Sequence, residues 1–345
     1  RISDPLYETA PGKVPNFWNK NAKGASGTDA GTYFMGWEAA DFENTNTNFS
    51  NVTFVVTDGQ LVINPRPVVL TSASDKKVYD GDALTNHTVT EMFVTESPFP
   101  NGEGLDYDFT GSQTDVGKSA NTFTYKAKEG TNPDNYAITT EFGTLEVTPV
   151  TDKVTVTIKG GKSSVTYNGE EHTVSGYKVA DISNPLYKEA NFSFSGNAEA
   201  KGKNAGTYKM GLKAADFANT SNNFKNVEFV VADGQLEITK RPVMLTSANL
   251  IKVYDGTPLT NGDTPVKEEF GTEKAFPEGE GVTYTFKGSQ TNAGSSKNMF
   301  TYAWNEGTNK DNYTIYQVEG DLVVTPIDEI KVTITGHKDT QTYDG

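Results

Sequence analysis

The chain has 345 residues, a net charge of −15 at neutral pH and no cysteine. The absence of cysteine excludes disulfides, a thiol nucleophile and a thiolate metal site. The acidic balance argues against nucleic acid or an anionic membrane as the main partner, because either would require a concentrated basic face. These features favour a soluble protein whose copies repel one another.

A short motif ending in Tyr-Asp-Gly or Tyr-Asn-Gly, here called the YDG motif, occurs four times along the chain. Its tyrosines follow one another at spacings of 88, 87 and 89 residues; they are Tyr79, Tyr167, Tyr254 and Tyr343. A fixed period of this kind is the signature of a repeat architecture. A unit of this length is at the small end of independently folding domains, so we expect several small cores instead of one large core.

Two types of unit alternate. In the A type, residues 31–70 match residues 206–245 without a gap and with 27 of 40 positions identical, whereas B-type units share Gly-Ser-Gln-Thr at 111–114 and 288–291. The predicted organisation is repeat 1 (A type, residues 1–66, lacking its first strands), repeat 2 (B type, 67–150), repeat 3 (A type, 151–241), repeat 4 (B type, 242–327) and a C-terminal segment (328–345) with the opening strands of a further A-type unit.

The pattern along the chain predicts strands almost throughout. Apolar and polar residues alternate at 154–158, 227–231, 235–238, 282–286 and 322–324, between Asp-Gly and Asn-Gly turns. Prolines end the units, and single helical turns are expected near 37–42, 186–190 and 212–217. We therefore predict an all-β fold, a linear tandem array of small Ig-like β-sandwiches joined by short, stiff connections.

Four sequence segments carry a resemblance to a known family. They are KVYDGTPLT at 252–260, GTY at 206–208, DNYTI at 311–315 and GDLVVTP at 320–326. Together they resemble the YDG and MBG repeat domains, Ig-like modules found in tandem in secreted and cell-wall-anchored bacterial surface proteins and adhesins. The resemblance covers nearly the whole chain. It implies an extracellular location at the bacterial cell surface or cell wall, and it brings no catalytic residues.

A search for chemistry finds no recurring constellation. The three histidines, His87, His172 and His337, occupy non-equivalent places in their units, so no triad or histidine cluster repeats. We predict no catalytic residue, no metal site, no cofactor and no enzymatic activity. We interpret the YDG motif as structural: its tyrosine packs against the sandwich and its Asp-Gly or Asn-Gly forms a tight turn.

Surface recognition is expected where the copies differ. Between the A-type units the offset falls from 180 residues at Ile2 and Ile182 to 175 from residue 31 onward, which indicates an insertion within 11–29. That stretch includes Phe17 and Trp18, our candidate ligand contacts, although Trp18 equally suits the cap of a hydrophobic edge. Trp304 with Phe276 is a weaker candidate.

The two ends of the chain raise a second hypothesis. The chain starts at Arg1 without a methionine, so we expect it to be excised from a longer protein. Because repeat 1 lacks the strands that the C-terminal segment reproduces, chains could polymerise head to tail by strand addition, with Val332, Ile334 and Tyr343 as the exchanged residues. The alternative is that both ends are cuts within one long array.

The leading functional interpretation is a structural stalk or fibre segment of a cell-surface adhesin that spaces or displays a binding head. Its partners would be neighbouring repeats or copies of itself, with no nucleic acid and no membrane insertion. The alternative is a ligand-binding module that recognises a host glycan or protein through variable loops.

Overall fold

A computed structural model describes residues 1–8, 13, 15–93, 98–100 and 102–345. Over these residues the chain is all-β, which confirms the predicted fold class, and its helices are single 3-10 turns. The chain divides into two compact units, Arg1–Asp152 with Asn222–Asn226, and Lys153–Ser221 with Val227–Gly345. The first unit thus holds repeats 1 and 2 and a short segment of repeat 3, and the second holds the remainder.

The strands of the first unit belong to two repeats. Those of repeat 1 are β1 (Phe17–Asn19), β2 (Gly31–Phe34), β3 (Phe42–Asn44) and β4 (Gln60–Ile63). Those of repeat 2 are β5 (Arg66–Ser72), β6 (Asp75–Val78), β7 (Val89–Met92), β8 (Leu105–Phe109), β9 (Gly117–Ala120), β10 (Phe123–Ala127), β11 (Tyr136–Glu141) and β12 (Thr144–Thr148).

The second unit follows the same plan. Repeat 3 contains β13 (Val154–Gly160), β14 (Lys162–Thr166), β15 (His172–Ser175), β16 (Tyr177–Ile182), β17 (Phe192–Phe194), β18 (Glu199–Gly202), β19 (Gly206–Lys209), β20 (Phe217–Asn219), β21 (Val227–Ala232) and β22 (Gln235–Thr239). Repeat 4 contains β23 (Arg241–Thr246), β24 (Leu250–Val253), β25 (Lys267–Glu269), β26 (Val282–Phe286), β27 (Gly294–Lys297), β28 (Phe300–Trp304), β29 (Tyr313–Val318) and β30 (Asp321–Thr325).

Short 3-10 turns connect several strands. The single-turn helices predicted in the A-type repeats are present as Ala39–Asp41, Glu189–Asn191 and Ala214–Asp216. Further turns are Pro5–Tyr7, Pro133–Asn135 and Lys310–Asn312. In Pro133–Asn135 the side chain of Asn132 accepts a hydrogen bond from the Asp134 amide, which satisfies one of the free N–H groups at the start of the turn.

The opening strand of each complete repeat is the central strand of a sheet. The strand orders are β11-β5-β7 in repeat 2, β16-β13-β21 in repeat 3 and β25-β23-β29 in repeat 4. The second strand joins another sheet at its edge, in the orders β6-β12-β9, β14-β22-β19 and β24-β30-β27. Both opening strands pair in parallel with the two closing strands, as β13 does with β21 and β14 with β22. The start of each repeat is therefore fastened to its end.

Alternation of apolar and polar residues determines which side of these strands is buried. In β13 the side chains of Val154, Val156 and Ile158 are at most 1% exposed, and the threonines between them are only partly buried. A period of two places alternate residues on opposite faces of a strand. Full burial of a Val or Ile side chain contributes about 1.5–3 kcal/mol, so β13 is a major source of stability in repeat 3.

One apolar core runs through repeats 3 and 4 in the second unit. It includes Leu236 and Ile238 of β22 together with Val243 and Leu245 of β23, all at most 2% exposed. The strands β22 and β23 are separated by the single residue Lys240, and Pro242 follows as the second residue of β23. The connection between these repeats is therefore a bend between two packed strands, with no linker.

Candidate functional site at the repeat junctions

An asparagine side chain joins successive repeats in the same way three times. The Oδ1 atom of the asparagine accepts a hydrogen bond from the backbone N–H of a residue in the preceding repeat. Its Nδ2 atom donates a hydrogen bond to the side chain of the residue immediately before that one in the sequence. We call this pair of bonds the amide clasp. The clasps are Asn135 with Asp29 and Ala30, Asn223 with Asp115 and Val116, and Asn312 with Asn204 and Ala205.

The geometry of the clasp is nearly the same in every copy. The bonds accepted by Oδ1 measure 2.6, 2.9 and 2.8 Å, and those donated by Nδ2 measure 2.8, 2.9 and 3.0 Å. Only a carboxamide carries both a donor and an acceptor in this arrangement. The partner needs only an acceptor, which explains why Asp29 and Asn204 serve equally well. In the first clasp the bond from Asn135 also lowers the pKa of Asp29.

Each clasp connects a turn of one repeat with the start of a strand in another. Asn135 and Asn312 end the 3-10 turns Pro133–Asn135 and Lys310–Asn312, immediately before an aromatic residue. The receiving amides of Ala30 and Ala205 lie just before the strands that begin at Gly31 and Gly206. The sequence analysis did not predict the clasp. The signal that could have located it is the Asp or Asn two residues before Gly31 and Gly206.

The tyrosine of the YDG motif also contacts the following repeat. Tyr79 packs edge to face on Phe224, with ring centroids 5.6 Å apart, and Tyr167 packs in the same way on Tyr313 at 5.5 Å. We predicted that these rings pack against the sandwich, and they do: Tyr79 packs against the cluster of Leu84, Leu145 and Val147, and Tyr167 is 2% exposed. The additional contact with the following repeat was not predicted. The reason is geometric: the motif lies at the end of the repeat that faces the aromatic residue following the clasp asparagine.

The Asp-Gly part of the motif forms the predicted turn. The carboxylate of Asp80 accepts a hydrogen bond from the amide of Asp82, and that of Asp255 accepts one from the amide of Thr257. Asn168 makes the same bond to the amide of Glu170, so Asp and Asn are interchangeable here. The prediction of a tight Asx turn is confirmed.

Gly169 shows why the motif ends in glycine. Its φ of +83° is in the left-handed region, which disfavours any residue with a Cβ. A Cβ at this position would also lie only 2.9 Å from Cβ of Pro277 in repeat 4. At the junction between repeats 3 and 4, the backbone of Gly169 therefore packs directly against the ring of Pro277.

A half-buried acid, Glu280, organises the junction between repeats 3 and 4. The hydroxyls of Tyr167 and Tyr313 both donate to the carboxylate of Glu280, the second over 2.5 Å. Burial, together with this hydrogen bond to an anion, raises the pKa of Tyr167 to about 12 and raises that of Tyr313 as well. The protonated phenols are the form that this site stabilises.

An arginine fastens the same junction through backbone carbonyls. Arg241 is 4% exposed, and its Nη1 donates to the carbonyl oxygen of Tyr167 over 3.1 Å. Its other nitrogens donate to the carbonyls of Lys274 and Ala275, and its guanidinium lies 3.8 Å from the ring centroid of Phe270. A planar group with five donors can satisfy several acceptors at once while buried.

The candidate ligand contacts Phe17 and Trp18 lie on a strand. β1 pairs with β3 in the register in which β17 pairs with β20, so Phe17 is the counterpart of Phe192 and Trp18 that of Ser193. The insertion relative to repeat 3 therefore ends before residue 17. Residues 9–12 and 14, which precede β1, lie outside the described residues. Our placement of Phe17 and Trp18 within the insertion was wrong. Because β1 and β17 have the same pairing register, both residues belong to a strand that the two A-type repeats share.

The structure separates these two aromatic side chains. Phe17 packs on Phe42 and Phe54, with ring centroids 6.1 and 5.9 Å away, as part of the aromatic side of repeat 1. Trp18 points the other way and is 63% exposed. In repeat 4, the weaker pair Phe276 and Trp304 packs on Tyr313 inside the repeat. Of these four residues, Trp18 presents the most open surface.

The residues proposed for strand exchange are in the C-terminal segment. Val332, Ile334 and Tyr343 are 74%, 88% and 93% exposed. The last strand of the described chain ends at Thr325, before all three. Their involvement in strand exchange stays a prediction.

Neither a metal site nor a membrane-spanning helix is present among the described residues. No group of three or more His, Cys, Asp or Glu side chains there could hold a metal ion. No helix in the described ranges is long and apolar enough to cross a membrane. Two of the histidines have different neighbours: His87 stacks on Phe109, and Nε2 of His172 lies 2.8 Å from Oδ1 of Asn168.

Comparisons with known proteins give little similarity. No protein-family profile matches the chain, and no curated protein matches it. Among solved structures, the I9-I11 tandem from titin is similar over 75% of this chain and 100% of its own, at 10% identity and a TM-score of 0.15. The Bacillus anthracis TIE protein is similar over 79% of this chain and 52% of its own, also at 10% identity and a TM-score of 0.15.

Proposed function

We propose that this chain is a structural stalk or fibre segment of a bacterial cell-surface adhesin, which spaces or displays a binding head. The observation that carries the proposal is the amide clasp, present with the same atoms at three successive junctions. A side chain that bonds to both backbone and side chain of its neighbour resists rotation as well as separation. Repetition of this contact at successive junctions suits a stalk, which must keep a binding head at a fixed distance from the cell surface.

The other junction contacts support the same function. Between repeats 3 and 4 the clasp is joined by the Tyr167–Glu280–Tyr313 cluster, the Arg241 bonds and a continuous core. These contacts form with no disulfide, since the chain has no cysteine. The resemblance to YDG and MBG domains supports a location outside the cell, where tandem arrays of this kind are displayed.

Stiffness at a junction can be measured directly with spin labels. Because the chain has no cysteine, Lys209→Cys and Lys287→Cys place one label on repeat 3 and one on repeat 4. We expect a narrow distance distribution in double electron–electron resonance, and a broad one after Asn312→Ala with Tyr167→Ala. Both changes remove contacts between the repeats and leave the strands of each repeat in place.

Asn292→Ala is the matched control for that experiment. Asn292 is the counterpart of the clasp acceptor Asp115 in repeat 4, and it is exposed, so its removal should leave the distribution narrow. A broad distribution in the unmodified chain would contradict the stalk function.

Trp18 is the observation that favours the alternative function, a binding module for a host glycan or protein. It is 63% exposed on a β-strand, where the other A-type repeat has Ser193. A glycan and mucin binding assay with the chain and its Trp18→Ala variant tests this. Binding that Trp18→Ala abolishes would establish the alternative, and no binding by either protein would exclude it for these ligands.

A further inference from the structure

The YDG motif of repeat 3 lacks two charges that the motif has in repeats 2 and 4. There the aspartate of the motif forms an ion pair with a lysine two residues before the tyrosine; the pairs are Lys77 with Asp80 at 2.6 Å and Lys252 with Asp255 at 2.8 Å. Counted from Tyr167 in the same way, repeat 3 has Val165 in the place of the lysine and Asn168 in the place of the aspartate. The turn of repeat 3 therefore has neither the acid nor its lysine.

Asn168 has a different partner, the histidine at the start of β15. Nε2 of His172 lies 2.8 Å from Oδ1 of Asn168, and the backbone N–H of Glu170 donates to the same oxygen over 3.0 Å. The bond from Glu170 identifies this atom as the carboxamide oxygen, which can only accept. Nε2 of His172 therefore carries the proton, and two donors converge on a single oxygen.

The two donors lie where they would stabilise an attack on the carboxamide. In an Asn-Gly sequence the backbone nitrogen of the glycine can attack Cγ of the asparagine, because glycine has no side chain to hinder the approach. Negative charge then develops on Oδ1, and donors already aimed at that atom lower the barrier, as an oxyanion hole does in acyl transfer. The leaving group is the amide nitrogen, and no described residue accepts a hydrogen bond from Nδ2 of Asn168. Asn168 is partly exposed, so water has access to it.

A second Asn-Gly sequence, at Asn261 in repeat 4, has the opposite arrangement. Asn261 is 2% exposed, and its Nδ2 donates to the carbonyl oxygens of Gly262 and Thr264 over 3.3 and 2.6 Å. The nitrogen that would have to leave is thus held by the backbone. The third such sequence begins at residue 101, outside the described residues. Asn261 is therefore an internal reference for the reactivity of the same dipeptide in a closed site.

We propose that Asn168 is a site of spontaneous deamidation, which His172 assists and which produces aspartate. The backbone nitrogen of Gly169 loses its proton and bonds to Cγ, the bond from Cγ to Nδ2 breaks, and ammonia leaves with that proton. Water then opens the resulting succinimide at Cγ, which gives the aspartate and returns a hydrogen to the nitrogen of Gly169. The reaction requires no oxidant, reductant or cofactor. It is independent of the stalk function, because it depends on the geometry of one turn.

The fold also determines the product. The new carboxylate lies against His172, so an acid and a base face each other as Asp80 and Lys77 do in repeat 2. Opening of the succinimide at its backbone carbonyl would instead give isoaspartate and lengthen the main chain by one carbon atom. Gly169 packs so closely on Pro277 that an added Cβ would lie 2.9 Å from Cβ of the proline. This close packing disfavours the longer chain, so the folded junction favours aspartate.

Peptide mapping by mass spectrometry tests the proposal. The full chain is kept at neutral pH, and samples taken over several weeks are digested and analysed for conversion of Asn168 and Asn261. We expect Asn168 to convert first, mainly to aspartate, and His172→Ala to slow this conversion about tenfold or more. Thr173→Ala is the matched control: this exposed side chain lies on the other face of β15, and its loss should leave the rate unchanged.

The sign of the effect separates assistance by His172 from support of the turn alone. A turn that only became looser without the histidine would deamidate faster, whereas loss of a donor to Oδ1 makes the reaction slower. In urea, where the fold is absent, Asn168 and Asn261 should convert at similar rates; circular dichroism checks that both variants are folded without urea. Three results in the folded chain would overturn the proposal: an equal or faster rate in His172→Ala, conversion of Asn261 as fast as that of Asn168, or isoaspartate as the main product.

Discussion

At the scale of single residues, the junctions depend on atoms that only a few residue types possess. The clasp requires a carboxamide at Asn135, Asn223 and Asn312, and the buried pair of phenols requires an acid at Glu280. A buried donor or acceptor that loses its partner costs about 1–3 kcal/mol. Conservative changes at these positions are therefore informative, because they alter hydrogen bonding and leave volume almost unchanged.

The tyrosines at Glu280 predict a loss of stability at alkaline pH. An unfolded tyrosine loses its proton near pH 10, whereas the folded pKa of Tyr167 is raised to about 12 by burial and by Glu280. The contribution of Tyr167 and Tyr313 to the free energy of unfolding is therefore fully present below pH 10. It is lost as the pH rises from 10 towards 12. Urea unfolding of the chain between pH 8 and pH 11 should show this fall.

The double variant Tyr167→Phe with Tyr313→Phe should show a smaller fall than the unmodified chain, since it lacks these two phenols and keeps the other tyrosines whose pKa is raised, Tyr107, Tyr136, Tyr187 and Tyr284. It should already be less stable at pH 8, because Glu280 loses two donors. Tyr254→Phe is the control: this YDG tyrosine is 38% exposed and should leave the pH dependence as it was. An unchanged alkaline fall in the double variant would refute the role given to these phenols.

At the scale of strands and turns, much of the fold could be predicted from the sequence, and the junctions could not. Alternation predicted the strands over 154–158 and 282–286, because a period of two describes one strand and its buried side. It says nothing about which strand lies alongside, so the parallel pairing of β13 with β21 was not foreseen. The contact of Tyr167 with Tyr313 joins residues in different repeats, and no local pattern encodes it.

The YDG turn provides a prediction at this scale with a built-in control. Gly169 and Gly256 have almost the same φ, +83° and +82°, but a Cβ would meet Pro277 at Gly169 and open space at Gly256. Gly256→Ala should cost about 1–2 kcal/mol through the left-handed backbone alone. Gly169→Ala should cost more in urea unfolding, because it also pushes repeat 4 away. Equal losses would show that the contact with Pro277 contributes nothing.

At the scale of the whole molecule, the repeats of the second unit are not independently packed domains. In the second unit the core passes from β22 of repeat 3 into β23 of repeat 4. Repeats that share a core are expected to unfold together, because their stability includes the interface as well as each repeat. The second unit is thus predicted to behave as one cooperative block.

Hydrogen exchange can test this cooperativity. Ile238→Ala removes a side chain that is 2% exposed in repeat 3 and should cost about 2–5 kcal/mol. We expect amide protection to fall in the strands of repeat 4 as well as in those of repeat 3. Ile251→Ala, the same change at a position that is 70% exposed in repeat 4, should leave protection nearly intact. Unchanged protection of repeat 4 in Ile238→Ala would mean that the repeats unfold separately.

The amide clasp bears on how such a chain gains or loses repeats during evolution. Each full repeat carries both halves of the clasp, an asparagine at one end and a receiving amide at the other. An A-type repeat meets a B-type repeat through Asn135 or Asn312, and a B-type repeat meets an A-type segment through Asn223, with the same bonds. Both kinds of junction therefore use the same bonds, so gene duplication or deletion of an adjacent A-type and B-type pair keeps the clasp at the new boundary without a compensating mutation.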